Sequence, residues 1–283
     1  MADNKILICP GAQKSGTTFL YSILSQHPDI YFSKYKEVHF FSVNHEYKKG
    51  INYFLDMFKE NNNEKYLADF TPEYLPKFYS IQRIKKEFGN NVKFIVVLRD
   101  PIKRAFSQYN MRISKGRKTS SFYELVEKQC KEDIKYTTLV GRGLYYEQIN
   151  NLYKYYSNDN ILIITFEQLT HDTDKTIKQV LTFLKLNLKI DFNGNVNINK
   201  KPNAKGNLLG VILYAVPIHI RRKIVNVNSK FIQYIKKNML LKKHTKVNKA
   251  VLDDKSINLL KKYYDTSNKL LHEKYGIDIS KWL

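Results

Sequence analysis

The sequence predicts an α/β protein in which helices cover both faces of a central parallel sheet, a three-layer α/β/α arrangement. Short apolar runs alternate along the chain with segments whose apolar residues recur at helical spacing. One run, Val92–Leu98, is continuous and rich in β-branched residues, which is typical of a parallel strand covered on both faces. Near the start of the chain, an apolar run is followed by a glycine-bearing turn and a helical pattern. These observations favour a doubly wound sheet.

The predicted strands and helices follow one another along the chain. Apolar runs predict strands at residues 6–9, 30–32, 66–70, 92–98 and 161–165. Helical spacing predicts helices at residues 17–24, 47–58, 101–109, 120–136, 145–156, 174–184 and 253–283, the last stopped by Gly276. Pro72 favours a further helix start after the third strand. The basic, partly amphipathic pattern of residues 208–245 predicts a basic helical insertion. Because neither a repeat nor an interdomain linker is visible, we expect a single domain over residues 1–283.

Length and composition bound the class of protein. With 283 residues, 43% of them hydrophobic, the chain can bury one large core. Its formal net charge of +22 suits anionic ligands, although an AT-biased genome would also enrich lysine. Cys9 and Cys130 are too few for a disulfide framework, which fits a reducing compartment. There is no signal-peptide layout, and the longest apolar run, near residues 208–220, is too short to span a bilayer. We expect a soluble, cytoplasmic protein.

The turn after the first strand carries the features of an anion site. Gly11 and Gly16 enclose Lys14, and Thr17 and Thr18 follow where a helix would begin. Free N–H groups at a helix N-terminus attract anions, and Lys14 adds a full positive charge. The turn differs from the triphosphatase loop GxxxxGK[ST], because its lysine precedes the second glycine. A tight turn without a ligand is the alternative that the glycines alone would allow.

A second basic site is predicted where the strand at residues 92–98 ends. Arg99 closes this strand, and Ser107 lies eight positions later on the next predicted helix. A guanidinium and a hydroxyl can bind one phosphate. Since ligands of such sheets lie at the carboxyl ends of strands, we expect Arg99 and Lys14 at the same edge. In the alternative, Arg99 pairs with a neighbouring carboxylate and Ser107 is an ordinary helix residue.

The two motifs together resemble those of sulfotransferases that use 3′-phosphoadenylyl sulfate (PAPS). GxxKxGTT resembles their 5′-phosphosulfate loop, and residues 98–109, LRDPIKRAFSQY, resemble their 3′-phosphate site. The resemblance covers most of the chain and implies a P-loop-like fold. It also implies that Lys14 offsets charge on the leaving phosphate. The implied nucleotide ligands are Lys14, Ser15, Gly16, Thr17, Thr18, Arg99 and Ser107. No metal is implied, and the sequence has no His/Cys cluster at metal-ligand spacing.

A third motif points to the general base. Residues 36–41, KEVHFF, resemble the segment of heparan sulfate sulfotransferases that carries the catalytic glutamate. Sulfuryl transfer needs an acceptor hydroxyl that loses its proton as it attacks sulfur, so Glu37 is the predicted base. His39 is the rival, because other branches of the family use a histidine. In the alternatives without catalytic roles, Glu37 is a solvated partner of Lys36, and His39 is packed in the interior or supports a residue that contacts the substrate.

Two further segments agree less well with the family. Residues 69–74, DFTPEY, resemble its EKTPxY segment, but Phe70 replaces a lysine used by heparan sulfate enzymes. This difference argues against a heparan-type acceptor. Lys205 and Gly206 are assigned by position to the basic loop that closes over the nucleotide, with a solvated loop as an equal alternative.

The sequence therefore predicts an enzyme, a PAPS-dependent sulfotransferase acting on a hydroxyl, or less readily an amine, of a carbohydrate or glycolipid. One alternative is a P-loop kinase-like phosphotransferase, which should carry GK[ST] and a strand-end aspartate for Mg²⁺. The other is a basic protein that binds nucleic acid or an anionic surface, with steep salt dependence. A role in shaping the acceptor site, or in a peripheral membrane contact, is a guess for Tyr145, Tyr146 and residues 208–245. The sequence predicts no specific nucleic-acid partner and no oligomeric state.

Overall fold

The computed structural model describes residues 4–33, 35–61, 63–117, 119–187 and 251–283. One compact unit comprises Met1–Tyr109, Thr119–Val196 and Leu252–Leu283. A second unit comprises Asn110–Lys118 and Asn197–Val251, of which only residues 110–117 and 251 are described. The predicted insertion at residues 208–245 and the assigned Lys205 and Gly206 lie outside the described residues. The sheet and the candidate site belong to the first unit.

The described part of the chain contains five strands, all parallel. They are β1 (Lys5–Ile8), β2 (Ile30–Phe32), β3 (Tyr66–Asp69), β4 (Val92–Leu98) and β5 (Ile161–Thr165). Their order across the sheet is β2-β3-β1-β4-β5, and every neighbouring pair is parallel. Because β1 lies between β3 and β4, the segments that follow these three strands emerge side by side at one edge of the sheet.

Helices connect the strands. They are α1 (Thr17–Leu24), α2 (Asn44–Tyr47), α3 (Ile51–Leu55), α4 (Phe78–Phe88), α5 (Pro101–Ser114), α6 (Phe122–Lys131), α7 (Tyr145–Tyr153), α8 (Phe166–His171), α9 (Thr173–Leu184) and α10 (Asp254–Tyr275), with short 3-10 turns at Asp56–Phe58 and Gly141–Gly143. Instead of the single helix predicted over residues 47–58, the chain forms α2, α3 and a 3-10 turn. Gly50 interrupts the helical backbone there with a φ of 82°.

Alternate residues of the central strands pack into two separate cores, one on each face of the sheet. Ile6 and Ile8 of β1 contribute to one core, and Leu7 and Cys9 contribute to the other. The first core includes side chains of α4, α7 and α10, and the second includes those of α1 and α9. Because both faces are covered, the central strands are continuous apolar runs. The predicted three-layer α/β/α arrangement is confirmed.

The turn after β3 differs from the prediction. No helix begins at Pro72, and α4 begins only at Phe78. The Thr71 hydroxyl donates to Asp69 Oδ1 at 2.6 Å, and the Tyr74 hydroxyl donates to Asp69 Oδ2 at 2.6 Å. These bonds wrap the segment around the end of β3, so that it forms turns instead of a first helical turn.

The central strands should dominate the stability of the fold. Ile95 on β4 is fully buried, so Ile95→Ala should lower the free energy of unfolding by about 2–5 kcal/mol through lost burial and a residual cavity. Ile134→Ala removes the same atoms from a side chain that is 57% exposed and should cost less than about 0.5 kcal/mol. Chemical denaturation of both variants measures the difference, and equal losses would contradict this view of the core.

Candidate active site

The loop between β1 and α1 is held by backbone bonds to β4 and to the turn after β3. The N–H of Ala12 donates to the carbonyl of Val97 at 2.7 Å, and the N–H of Val97 donates to the carbonyl of Gly11 at 2.9 Å. On the other side, the N–H of Leu75 donates to the carbonyl of Pro10 at 2.8 Å. A Cβ added to Gly11 would lie 2.9 Å from Leu75 Cβ, so the loop backbone needs glycine for this approach.

The N-terminus of α1 has the form of an anion site. Gly16, at a φ of 87°, is the N-cap residue, so the predicted Thr17 and Thr18 both lie within the first turn. Among the described residues no side chain caps this turn. The N–H of Phe19 donates to the carbonyl of Gly16 at 2.9 Å, which leaves the N–H groups of Thr17 and Thr18 for an anionic ligand. Lys14 adopts a φ of 72° in the same loop, and Ser15 beside it is buried.

Arg99 is in direct contact with this loop. Its Nη1 donates to the carbonyl oxygen of Lys14 at 3.0 Å, which joins two predicted motifs that lie 85 residues apart. The guanidinium carbon of Arg99 also lies 4.5 Å from the centre of the Phe166 ring. Burial lowers the pKa of Arg99. Ser107 lies on α5, about two turns from the helix start, and is half-buried.

Tyr145 supports Arg99. Its hydroxyl donates to the carbonyl oxygen of Arg99 at 2.9 Å, and its side chain is completely buried. The structure thus places Tyr145 against Arg99, and its suggested role in shaping the acceptor site stays a prediction. Tyr146 is half-buried instead, and its ring centre lies 6.2 Å from that of Tyr275 on α10.

The two candidate bases form a pair. Nε2 of His39 lies 3.3 Å from Oε2 of Glu37, and their side chains are 20% and 14% exposed. Glu37 is thus half-buried, which does not fit the alternative of a solvated surface carboxylate. Nδ1 of His39 lies 3.5 Å from the hydroxyl of Ser42. The pair places a carboxylate and an imidazole, two groups that can accept a proton, side by side.

A buried hydroxyl fixes the backbone of this pair. Thr71 Oγ1 accepts the N–H of Val38 at 3.0 Å and the N–H of His39 at 3.3 Å, and it donates to Asp69 Oδ1. One donor and two acceptor positions are all that a hydroxyl offers, so Thr71 is fully used. Asp69 ends β3, and its carbonyl accepts the N–H of Cys9 at the end of β1 at 3.1 Å. The Glu37 segment is therefore tied to the strand that leads into the loop at residues 11–18.

Burial raises the pKa of Asp69 to about 6, against the lowering effect of the bonds from Thr71 and Tyr74. The carboxyl group is almost completely inaccessible to solvent. Above this pKa the carboxylate is ionised and accepts hydrogen bonds from the hydroxyls of both Thr71 and Tyr74, as the two 2.6 Å distances require.

Lys36 is a further cation at the site that the sequence argument did not assign. Its Nζ donates to Thr18 Oγ1 in the first turn of α1. Burial lowers the pKa of Lys36, while the charge of Glu37 raises it and that of Lys14 lowers it. These effects show that the two lysines and Glu37 are close enough to interact. Lys36 adjoins the predicted base in the sequence, but its contact with Thr18 depends on tertiary structure.

Gln13 connects the loop between β1 and α1 to another ion pair. Its Nε2 donates to Glu73 Oε1 at 3.4 Å, and Glu73 Oε2 accepts from Arg142 Nη2 at 2.9 Å. Among the described residues, no group of three or more His, Cys, Asp and Glu side chains could hold a metal ion. No helix in the described ranges has the length and apolar content needed to cross a membrane.

Comparison with known proteins identifies the family. The family model for the sulfotransferase domain matches residues 3–203 of this chain. The chain belongs to the sulfotransferase family. The loop at residues 11–18, Arg99 and the Glu37 segment all lie within the matched part of this sulfotransferase, as does the parallel sheet that positions them.

Individual relatives agree with this assignment. The mouse bifunctional heparan sulfate N-deacetylase/N-sulfotransferase 4 is 32% identical over 191 residues, which cover 62% of this chain and 21% of that protein. The mouse heparan sulfate glucosamine 3-O-sulfotransferase 3B1 is 28% identical over 178 residues, covering 62% of this chain and 45% of its own length. The chain thus spans less than half of these curated relatives. A sulfotransferase from Alicyclobacillus acidocaldarius superimposes with a TM-score of 0.59 at 25% identity, over 80% of this chain and 96% of that one.

The buried Asp69 should make stability depend on pH. Because its pKa is raised in the folded state, the native protein retains a proton that the unfolded chain releases between about pH 4 and pH 6. The free energy of unfolding should therefore fall as the pH rises through this window, by up to about 3 kcal/mol from this group.

Asp69→Asn should remove that pH dependence while keeping the shape of the side chain. Denaturant unfolding at several pH values from 4 to 7 compares the variant with the wild type. Asp265→Asn, which removes an exposed carboxylate on α10, should leave the wild-type slope unchanged. An unchanged slope in Asp69→Asn would refute the assignment of the titration to Asp69.

Proposed function

We propose that this chain transfers the sulfuryl group of PAPS to a hydroxyl, or less readily an amine, of a carbohydrate or glycolipid acceptor. Family membership and relatives named as heparan sulfate sulfotransferases support the reaction and a carbohydrate acceptor. One observation carries the proposal most directly: Arg99 donates to the carbonyl of Lys14, so that the motifs for the two ends of the nucleotide are in contact. A phosphotransferase remains less favoured, because the loop lacks GK[ST].

The residues at this edge of the sheet fit a nucleotide with anionic groups at both ends. The uncapped first turn of α1 offers the N–H groups of Thr17 and Thr18 to the 5′-phosphate, and Ser15 and Gly16 precede them. Arg99, with Ser107 on the following helix, would bind the 3′-phosphate. PAPS supplies an activated sulfuryl group and leaves as adenosine 3′,5′-bisphosphate.

Lys14 is proposed to stabilise the leaving group. As the bond from sulfur to the bridging oxygen breaks, negative charge grows on the 5′-phosphate, and a fixed cation in the loop offsets it. Lys36, bonded to Thr18 and close to Lys14, adds positive potential to the same region. Such stabilisation is effective because the half-buried side chains need little reorganisation during the reaction.

Glu37 is proposed to act as the general base. Its carboxylate takes the proton of the acceptor hydroxyl while the hydroxyl oxygen forms a bond to sulfur and the bridging oxygen leaves from the opposite side. His39, 3.3 Å from Glu37, is the rival base and otherwise the partner that keeps Glu37 ionised. The neutral amide of Glu37→Gln separates these roles, since it cannot accept the proton and leaves His39 in place.

Lys14→Ala and Glu37→Gln should each lower turnover by at least about 100-fold, because one removes leaving-group stabilisation and the other removes the base. The measurement is transfer of radiolabelled sulfate from PAPS to a panel of carbohydrate acceptors. Glu37→Gln should keep wild-type affinity for adenosine 3′,5′-bisphosphate, measured by calorimetry. Near-normal turnover in Glu37→Gln would transfer the role of base to His39. Absence of any transfer by the wild type, together with Mg²⁺-dependent consumption of ATP, would replace the proposal with phosphotransfer.

Thr71→Val should lower turnover by about 100-fold without changing nucleotide affinity. The substitution removes the acceptor of two backbone N–H groups, so the Glu37 segment can move relative to the loop at residues 11–18. A small displacement of a reacting group lowers the rate of catalysis strongly. Thr71→Ser retains the hydroxyl and serves as the matched control. Equal turnover in the two variants would show that the hydroxyl bond does not position the base.

A further inference from the structure

We infer that Trp282 and Leu283, which follow α10, act as positioning residues for Arg99 and so determine the preference for a 3′-phosphorylated nucleotide. This inference rests on the proposed function in one respect, the assignment of Arg99 to the 3′-phosphate. It concerns contacts that neither the sequence motifs nor the family match include, since the match ends at residue 203.

The first contact is between Leu283 and Asp100, the residue after Arg99. The N–H of Leu283 donates to Asp100 Oδ2 at 2.9 Å. Oδ1 of the same carboxylate accepts the N–H groups of Ile102 and Lys103 at 2.8 and 3.1 Å, so Asp100 caps the start of α5. The Asp100 side chain is completely buried. Leu283 therefore holds, from a position 183 residues away, the carboxylate that orients the turn between β4 and α5.

The second contact is made by the indole of Trp282. Its Nε1 donates to Glu167 Oε2 at 3.3 Å, and its ring centre lies 5.9 Å from that of Tyr145 in an edge-to-face arrangement. Tyr145 in turn donates to the carbonyl of Arg99. The residue before Glu167 is Phe166, whose ring lies against the Arg99 guanidinium. Trp282 thus contacts Tyr145, which bonds to Arg99, and Glu167, the neighbour of Phe166 in the chain.

These contacts have an electrostatic consequence at the site. Burial lowers the pKa of Arg99, and the charges of Glu167 and Asp100 act against this effect, so both carboxylates interact with the guanidinium. An incoming 3′-phosphate would be repelled by them unless their charge is compensated. The N–H groups at the start of α5, the ammonium of Lys103 at 3.3 Å from Asp100, and the donors of Trp282 and Leu283 supply that compensation. Removing the last two donors should weaken 3′-phosphate binding more than 5′-phosphate binding.

Two substitutions remove the donors one at a time. Trp282→Phe removes the indole N–H and keeps an aromatic ring against Tyr145. Leu283→Pro removes the backbone N–H, because proline has none. Leu283→Ala keeps that N–H and is the matched control, since the Leu283 side chain is 41% exposed. Arg99→Ala removes the guanidinium itself and defines the full loss of the preference.

Calorimetry measures the binding of adenosine 3′,5′-bisphosphate and of adenosine 5′-monophosphate. The preference is the dissociation constant of the monophosphate divided by that of the bisphosphate. Trp282→Phe and Leu283→Pro should each reduce the wild-type ratio by about tenfold, the effect of one hydrogen bond to a charged group, and Leu283→Ala should retain it. Thermal unfolding of each variant checks that it is folded. If Leu283→Pro does not fold, the nucleotide preference of Trp282→Phe alone tests the inference.

The outcomes separate this inference from the proposed function. A wild type with no preference for the 3′-phosphate, or an unchanged preference in Arg99→Ala, would overturn the assignment of Arg99 and with it the proposed nucleotide site. A normal preference that persists in Trp282→Phe and Leu283→Pro would overturn only the role of the two residues. Equal weakening of both nucleotides would show a general structural role and also overturn it.

Discussion

The central place of β1 between β3 and β4 is the constraint on which the site depends. Parallel pairing sets Ile8 opposite Asp69 on one side and opposite Phe94 on the other, so the segments after these strands leave the sheet at the same edge. The loop between β1 and α1 is then bonded to β4 through Val97 and to the turn after β3 through Leu75. With both flanks fixed in this way, the loop can present the start of α1 to an anion without collapsing onto its neighbours.

The regular elements were predictable where one physical signal dominated. Three strands, Ile30–Phe32, Val92–Leu98 and Ile161–Thr165, have the predicted bounds, because each is a short apolar run. Helix α10 begins after its Asp253 cap and ends at Gly276, which adopts a φ of 63°. The turn after β3 was mispredicted, because the hydroxyls of Thr71 and Tyr74 bond to Asp69, and sequence spacing carries no sign of these bonds.

The site was predictable to the extent that single segments carry it. Lys14 and Arg99 each follow a strand, and their contact confirms that the two segments lie at one edge of the sheet. The supporting residues were not predictable. Phe166, for example, lies beneath Arg99 only because β5 pairs with β4, and nothing in the sequence near residue 166 marks that contact. Support of this kind is a property of the tertiary fold, and a motif of a few residues does not record it.

The turn after β3 touches both halves of the proposed reaction centre. Leu75 is bonded to Pro10, at the start of the loop between β1 and α1, and Thr71, four residues earlier, is bonded to the backbone next to Glu37. In the proposed reaction, this short segment therefore helps to set the distance between the leaving group and the base. Because helices α2 and α3 take no part in the bonds at Thr71 and Leu75, we expect substitutions in these two helices to leave the proposed in-line geometry of transfer unaltered.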